Sequence, residues 1–115
     1  MSAFKPVVNS VRNAVVKVGS MVIKIQQADQ WYDSKAYGAF VPDTRNIIIS
    51  KEAPKSVPIH ELVHAFEEVF GFEEVTEQTI TLVEAAVSMF IIDNPEYCRA
   101  LIDDIAGKVQ KKASK

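Results

Sequence analysis

The chain has 115 residues, of which 48% are hydrophobic and 24% charged, and its formal net charge is -2. This length allows one domain with a modest core, and the composition is that of a globular protein. The net charge argues against a nucleic-acid-binding surface, and no apolar run is long enough to span a membrane.

The first half of the chain is predicted to be rich in β-strands, over residues 14–50. Residues 2–13 fit either a short helix or a simple lead-in. Val16–Ile25 carries β-branched residues on both sides of Gly19-Ser20, which predicts a hairpin with a tight turn. A second strand pair is predicted from Ala36–Val41 and Asn46–Ile49, joined across a turn-rich tetrad.

The first residues also bear on where the protein is located. Met1–Asn13 lacks the continuous apolar segment of a signal peptide. The single cysteine, Cys98, precludes an internal disulfide, so nothing requires an oxidising compartment. A cytoplasmic location is therefore expected.

A helix is predicted from residue 56 to residue 70. Ser56 and Pro58 are typical of a helix start, and Gly71 is typical of a helix end. Between them, apolar residues recur at spacings of three and four: Ile59, Leu62, Val63, Phe66, Val69 and Phe70.

This helix carries both histidines of the chain, in the motif His60-Glu61-Leu62-Val63-His64. His60 and His64 lie one turn apart on the same face, so both imidazoles can bind one ion. Glu61 lies beside that face, where a carboxylate can act as a general base toward a water molecule. The alternative is a pair of solvent-exposed histidines, but such a pair does not require a glutamate next to its first member.

Two histidines and a glutamate in this spacing are typical of a zinc site. A catalytic zinc ion needs three protein ligands and one open position. No third histidine exists, and Cys98 falls in a later helical pattern. The third ligand is therefore expected to be a carboxylate that follows the motif. The candidates are Glu73, Glu74, Glu77 and Glu84.

Two of these candidates stand out within a second predicted helix, Glu74–Ile92, which ends before Asn94-Pro95. Glu84 interrupts the most apolar stretch of the chain, where an unpaired carboxylate is costly, so it is the favoured ligand. Glu77 is the main rival, although the helix dipole near the helix start explains a glutamate there without a metal. The carboxylate that does not bind the ion would hold a ring nitrogen of one histidine.

A third helix is predicted after Pro95, as far as Ala106, and residues 108–115 form a basic tail. The predicted fold is α+β: a small antiparallel or mixed sheet packed on the pair of helices, with a further C-terminal helix. The whole chain, 1–115, is expected to form a single domain, with a β-rich part at 14–50 and a helical part at 56–107. Cys98 is expected to act as a small hydrophobic residue.

The motif, the short loop after it and Glu84 on the next helix resemble the gluzincin metallopeptidases. Glu84 follows His64 at the separation found for the third ligand in thermolysin-like members. The small size is similar to minimal gluzincins and to the ImmA/IrrE-like group of bacteria and phages. The resemblance covers about half the chain, from Tyr37 to Pro95. One departure is Ser88, at a position where thermolysin-like members usually have an aspartate.

The resemblance implies a zinc-dependent peptide-bond hydrolase, a metalloendopeptidase, that acts on a peptide or protein substrate. Zn²⁺ would be held by His60, His64 and Glu84, and Glu61 would be the catalytic base. One strand within residues 37–49 would pair with the substrate, unless it is purely structural. No further histidine is present to polarise the substrate carbonyl, so an arginine, a tyrosine or zinc alone must do so. Tyr37 is the first candidate, ahead of Tyr32, Tyr97 and Arg45.

Two other functions are compatible with the motif. A metallopeptidase-like domain could serve as a binding or regulatory module with little hydrolytic activity. The glutamate at the base position, Glu61, favours an enzyme. A purely structural zinc is less favoured, because structural sites are closed by four protein ligands, usually thiolates. The sequence leaves the oligomeric state open.

Overall fold

The computed structural model describes residues 4–28, 37–72 and 74–107. Within these ranges the predicted α+β class is confirmed, with a five-stranded mixed sheet and three helices. The chain forms two compact units, Met1–Glu84 and Ala85–Lys115. The strands and helices are β1 (Val7–Ser10), β2 (Asn13–Val18), β3 (Met21–Ala28), β4 (Gly38–Val41), β5 (Asn46–Ser50), α1 (Val57–Phe70), α2 (Glu77–Asp93) and α3 (Pro95–Ala106).

The predicted hairpin is confirmed: β2 and β3 are antiparallel, and Val18 pairs with Met21 across Gly19-Ser20. Gly19 has φ of +61°, which a residue without a Cβ adopts at little cost. A Cβ at Gly19 would also lie 2.5 Å from Cγ1 of Val69 on α1. The turn therefore requires glycine both for its backbone conformation and for its close contact with the helix.

The segment left undecided by the sequence contains a strand. β1 is antiparallel to β2, with Val7 opposite Val15. All four residues of β1 are exposed. Main-chain pairing, rather than burial, therefore holds β1 on the sheet, and this explains why its sequence lacks the alternation of a half-buried strand.

The second predicted strand pair is also confirmed, as β4 and β5 joined by a turn that contains Arg45 at φ of +58°. Ala36, the first residue of the predicted strand, lies outside the described residues. β5 pairs in parallel with β3, so the strand order is β1-β2-β3-β5-β4. Ile47 and Ile49 of β5 are fully buried, while β4 lies at the edge of the sheet.

Helix α1 covers one face of the sheet. Its residues Val57 and Ala65 belong to the same buried cluster as Ile23, Ile47 and Ile49. The helix begins after Ser56, as predicted, and ends at Gly71, whose N–H donates to the main-chain oxygen of Glu67. Gly71 has φ of +73°, a left-handed conformation that terminates helices.

Helix α2 begins at Glu77, three residues later than the sequence predicts. The Thr76 hydroxyl accepts a hydrogen bond of 3.1 Å from the N–H of Thr79, which is the contact of a helix N-cap. This local cap, rather than the apolar pattern, determines where the helix starts. Ile80 in its first turns is fully buried.

The second unit contains the end of α2 and the whole of α3. The two helices are separated at Asn94, and α3 ends at Gly107, again with a left-handed backbone. The rings of Phe90 and Tyr97 meet edge to face, with their centroids 5.8 Å apart. Cys98 is a half-buried free thiol. The predicted basic tail, 108–115, lies outside the described residues, and none of the described helices is long and apolar enough to cross a membrane.

Candidate metal centre

The two histidines of α1 point to the same place. Their ring centroids are 5.2 Å apart, and both side chains are partly buried. Because they lie one turn apart on a helix fixed by the core, their positions follow from the main chain of α1. The expectation that both imidazoles face one site agrees with this geometry.

Each histidine ring is held through its Nδ1 atom by a carboxylate. His60 Nδ1 lies 2.9 Å from Oε1 of Glu84, and His64 Nδ1 lies 2.8 Å from Oε1 of Glu67. When Nδ1–H donates to a carboxylate, the lone pair of the neutral imidazole is on Nε2. Carboxylates in this position orient histidine ligands in zinc sites. Both rings therefore present the lone pair of Nε2 to a metal ion.

The two Nε2 atoms share a third residue, Glu77, at the start of α2. Its Oε2 lies 2.8 Å from His60 Nε2, and its Oε1 lies 3.2 Å from His64 Nε2. One ligand atom from each of His60, His64 and Glu77 lies within 4.8 Å of the others. Ligand atoms around a tetrahedral zinc are roughly 3.3 Å apart, so only a small adjustment would place all three on one ion.

This donor set fits zinc. Two imidazole nitrogens and one carboxylate are the ligands of catalytic zinc sites that keep a fourth position open. No thiolate belongs to the cluster, which is the only such group found among the described residues. The chemistry of the side chains therefore favours a catalytic rather than a structural metal site.

Glu84, the ligand favoured by the sequence, and Glu77, the other main candidate, make different contacts in the structure. Glu84 contacts Nδ1 of His60, not Nε2, and its other oxygen accepts a hydrogen bond from the Ser56 hydroxyl. The apolar sequence around Glu84 suggested a need for a cation, but these two hydrogen bonds already satisfy the carboxylate. The geometry thus favours Glu77 as the metal ligand. Glu84 instead holds a ring nitrogen of His60, which is the role expected for the carboxylate that does not bind the ion.

Of the two remaining candidates, only Glu74 can be compared with this cluster, and it does not belong to it. Glu73 lies outside the described residues, and Glu74 is exposed before the start of α2. Ser88, one turn after Glu84, has a buried hydroxyl without a hydrogen-bond partner among the described residues. It therefore does not replace the aspartate that the resemblance would lead one to expect.

Sequence reasoning missed two residues, Glu67 and Ser56. Glu67 stands three residues after His64, a spacing that places both on the same helix face and could have indicated the contact. Ser56 was interpreted as a helix start, yet its side chain makes no capping hydrogen bond. Its hydroxyl donates instead to Glu84, which lies 28 residues away and is invisible to a local pattern.

Glu61 is the most buried charged residue of the site, with 6% of its surface exposed. Burial raises the pKa of its carboxyl group, and the positive charges of His60 and His64 only partly oppose this. No hydrogen bond to its side chain is found among the described residues. A buried carboxylate of raised pKa beside two potential metal ligands has the properties of a general base.

The neighbouring His60 also has a perturbed pKa. Burial lowers the pKa of its imidazole, but the hydrogen bonds to Glu77 and Glu84 and the charge of Glu61 outweigh burial and raise it. The metal-free site thus favours a protonated His60 held between two carboxylates. A metal ion would have to displace the proton on Nε2, so metal binding should weaken at low pH.

A cleft of about 860 Å³ lies over these residues, bounded by β4, α1 and the start of α2. Gly38 of the edge strand is close to the base: a Cβ there would be 3.2 Å from Oε2 of Glu61. Tyr37, half exposed, lines the same cleft. Of the other oxyanion candidates, Arg45 lies in the β4–β5 turn and does not line the cleft, Tyr97 belongs to the second unit, and Tyr32 lies outside the described residues.

Comparison of the chain with protein-family models, curated proteins and solved structures finds no match. The side-chain geometry of the cleft is therefore the basis for assigning a function.

Proposed function

We propose that the protein is a zinc-dependent hydrolase of peptide bonds, with His60, His64 and Glu77 as metal ligands and Glu61 as the general base. The observation that carries this proposal is the position of Glu77, which lies within hydrogen-bond distance of Nε2 of both histidines. Ligand atoms around one zinc ion lie roughly 3.3 Å apart, so these distances support Glu77 as the third ligand beside the two ring nitrogens.

A zinc ion in this site would polarise a substrate carbonyl and lower the pKa of a water molecule. Glu61 would take a proton from the attacking water and later deliver it to the leaving amine. Burial, which raises the pKa of Glu61 in the metal-free site, favours proton uptake by this carboxylate. Glu84 and Glu67 would keep the two imidazoles in the tautomer that leaves Nε2 free.

The edge strand β4 offers a way to bind a peptide. Among the strands of the described residues its only sheet partner is β5, so an extended segment would pair with the main-chain donors and acceptors on its other side. β4 also lines the cleft, beside Glu61. A peptide added to this edge would pass the proposed metal ligands, and Tyr37 is placed to contact it. Alanine in place of Gly38 would crowd the base.

The experiment is a peptide-library cleavage assay on zinc-loaded protein, with Glu61→Gln as the test variant and Glu68→Gln as the matched control. Glu68 lines the same cleft on the same helix but contacts neither histidine. We expect cleavage by the wild type and by Glu68→Gln, and loss of cleavage in Glu61→Gln with zinc affinity nearly intact. If zinc binds but no variant cleaves any peptide, the alternative of a metallopeptidase-like binding module is favoured instead.

A further inference from the structure

The side chain of Arg12 binds the main chain of a loop that is distant in the sequence. Arg12 lies in the turn between β1 and β2. One terminal nitrogen of its guanidinium donates to the carbonyl oxygens of Ser50, at 3.0 Å, and Lys51, at 3.3 Å. The other donates to those of Ala53 and Pro54. Because each terminal nitrogen carries two N–H groups, the four N–H groups match four acceptors. Arg12 therefore fixes the path of the chain from the end of β5 to the start of α1.

The helix that follows this loop lacks the usual stabilising groups at its start. Ser56 is the N-cap residue of α1 but makes no side-chain capping hydrogen bond, and the first turn contains no acidic residue. The carbonyl oxygen of Pro54, which binds Arg12, also accepts a hydrogen bond of 3.1 Å from the N–H of Val57. Arg12 thus stabilises the start of α1, where a capping side chain is missing.

The side chain of Ser56 instead belongs to a closed ring of hydrogen bonds with two residues of the candidate metal centre. Its hydroxyl donates to Oε2 of Glu84, and Oε1 of Glu84 lies 2.9 Å from Nδ1 of His60. The ring closes through the main chain, because the N–H of His60 donates to the carbonyl oxygen of Ser56 at 3.4 Å. The position of Ser56 therefore determines how Glu84 holds the imidazole of His60.

We infer that Arg12 is a positioning residue of the metal centre and acts on the ring of His60 through Ser56 and Glu84. The inference rests on the proposed function, since it concerns a histidine that would bind the ion. Without Arg12, the loop would be less restrained, and the Ser56 hydroxyl could turn to cap α1 instead. Glu84 would then orient His60 less firmly, and the loss of such an orienting contact weakens metal binding.

His64 provides a reference within the same protein. Its Nδ1 atom is held at 2.8 Å by Glu67, which lies three residues later on the same helix. This contact involves neither the loop nor Ser56. Loss of Arg12 should therefore affect the ring of His60 and leave the ring of His64 unchanged, whereas a general loosening of α1 would affect both.

Hydrogen exchange at the two imidazoles tests the inference without a metal ion. In the metal-free full chain, the Nδ1–H proton of His60 should exchange with water at least about threefold faster in Arg12→Gln than in the wild type, as measured by NMR. The Nδ1–H proton of His64 should exchange at the same rate in both. Lys55→Gln is the matched control, because it removes a positive charge from an exposed position of the same loop.

Zinc affinity tests whether Arg12 acts through Ser56. By chelator competition, Arg12→Gln should bind zinc about 3- to 10-fold more weakly than the wild type and Lys55→Gln. When Ser56→Ala is already present, adding Arg12→Gln should change the affinity by less than about twofold, because the connection to Glu84 is already lost. The unfolding midpoint of the metal-free protein should fall in both backgrounds, since the hydrogen bonds of Arg12 to the loop are lost in each.

An equal loss of zinc affinity with and without the Ser56 hydroxyl would overturn the inference, because Arg12 would then act by another route or through stability alone. Exchange rates at His60 that Arg12→Gln leaves unchanged, or raises equally at His64, would also overturn it. A wild type that binds no zinc would contradict the proposed function instead, and faster exchange at His60 alone would still support the connection from Arg12 to that ring.

Discussion

Glu67 lies three residues after His64 on α1, and its Oε1 atom is 2.8 Å from the Nδ1 atom of that histidine. The same contact is made to the other histidine from a different helix, by Glu84 to His60 at 2.9 Å. Both imidazoles of the motif are thus oriented through Nδ1, and both leave Nε2 toward the cleft. This paired arrangement is the structural basis for the proposed metal site.

The first prediction concerns Glu67. Replacing it with alanine removes the acceptor that fixes the His64 ring, so zinc affinity should fall by about 10- to 100-fold. A competition assay against a chelator of known affinity measures this change. Glu68→Ala, one residue further along the helix, is the control and should bind zinc as the wild type does. Equal affinities for Glu67→Ala and Glu68→Ala would remove Glu67 from the site.

The second prediction separates Glu77 from Glu84. Glu77→Ala should lose zinc binding almost completely, because it removes a ligand, whereas Glu84→Ala should lose about 10- to 100-fold. Ser56→Ala should weaken binding in the same direction as Glu84→Ala but less, since the Ser56 hydroxyl supports that carboxylate. The reverse ranking of the two glutamates in the competition assay would make Glu84 the ligand, as the resemblance implies.

The third prediction concerns the stability of the metal-free protein as a function of pH. Burial raises the pKa of Glu61 above its usual value of 4.5. The stability gained from burying the protonated form is present below the usual pKa and is lost as pH rises through the raised pKa. Glu61→Gln does not titrate, so its free energy of unfolding should increase relative to the wild type as pH rises from about 4.5.

This difference is measured by urea unfolding between pH 5 and pH 8 in the presence of a chelator. His60 affects the free energy of unfolding in the same direction. Its raised pKa gives stability that is present at low pH and is lost as pH rises above 6.5. His60 titrates in both proteins. The part of the His60 shift that comes from the charge of Glu61 is absent from Glu61→Gln, which changes the difference between the two proteins in the same direction. Glu68→Gln controls for the loss of one exposed carboxylate. A difference between Glu61→Gln and wild type that is constant or shrinks with rising pH would contradict the prediction.

The fourth prediction concerns substrate charge and rests on the proposed function. Five glutamates, and neither lysine nor arginine, are found among the described residues that line the cleft. These carboxylates outnumber the two positive charges of a divalent ion, so the cleft should favour peptides with lysine or arginine near the cleaved bond. Measured kcat/KM should be higher for basic than for acidic peptides of the same length, and high salt should reduce the difference.

Glu68→Lys sharpens this comparison, because Glu68 is exposed in the cleft and contacts neither histidine. The variant should lose part of the preference for basic peptides while it keeps the zinc affinity of the wild type. If acidic and basic peptides are cleaved equally well by the wild type, main-chain contacts or apolar contacts determine selection instead.

Features that depend on local sequence could be predicted. The glycine in the Gly19-Ser20 turn and Gly71 at the end of α1 mark their elements through backbone conformation, which a short segment determines by itself. The histidine pair belongs to this class too, since the helical period alone places His60 and His64 together. All these features are present in the structure.

Features that depend on tertiary contacts could not be predicted. β1 has no buried face, so its strand conformation arises only from pairing with β2. The roles of Glu77 and Glu84 depend on where α2 starts, which the cap at Thr76 determines, and on where its first turns meet α1. Glu84 was the favoured metal ligand because it is a charge in an apolar stretch. Its carboxylate is instead satisfied by a hydrogen bond from the hydroxyl of Ser56, which lies 28 residues earlier in the chain.

We propose that the motif helix and the start of α2 together hold one catalytic metal ion. Elemental analysis by mass spectrometry tests it most directly, on desalted protein from metal-replete medium and on the same protein after zinc titration. We expect about one zinc per chain in the wild type, and loss of that zinc in Glu77→Ala and in a variant with both His60 and His64 replaced by alanine. A wild type that contains no zinc, cobalt or manganese and binds none on titration would contradict it.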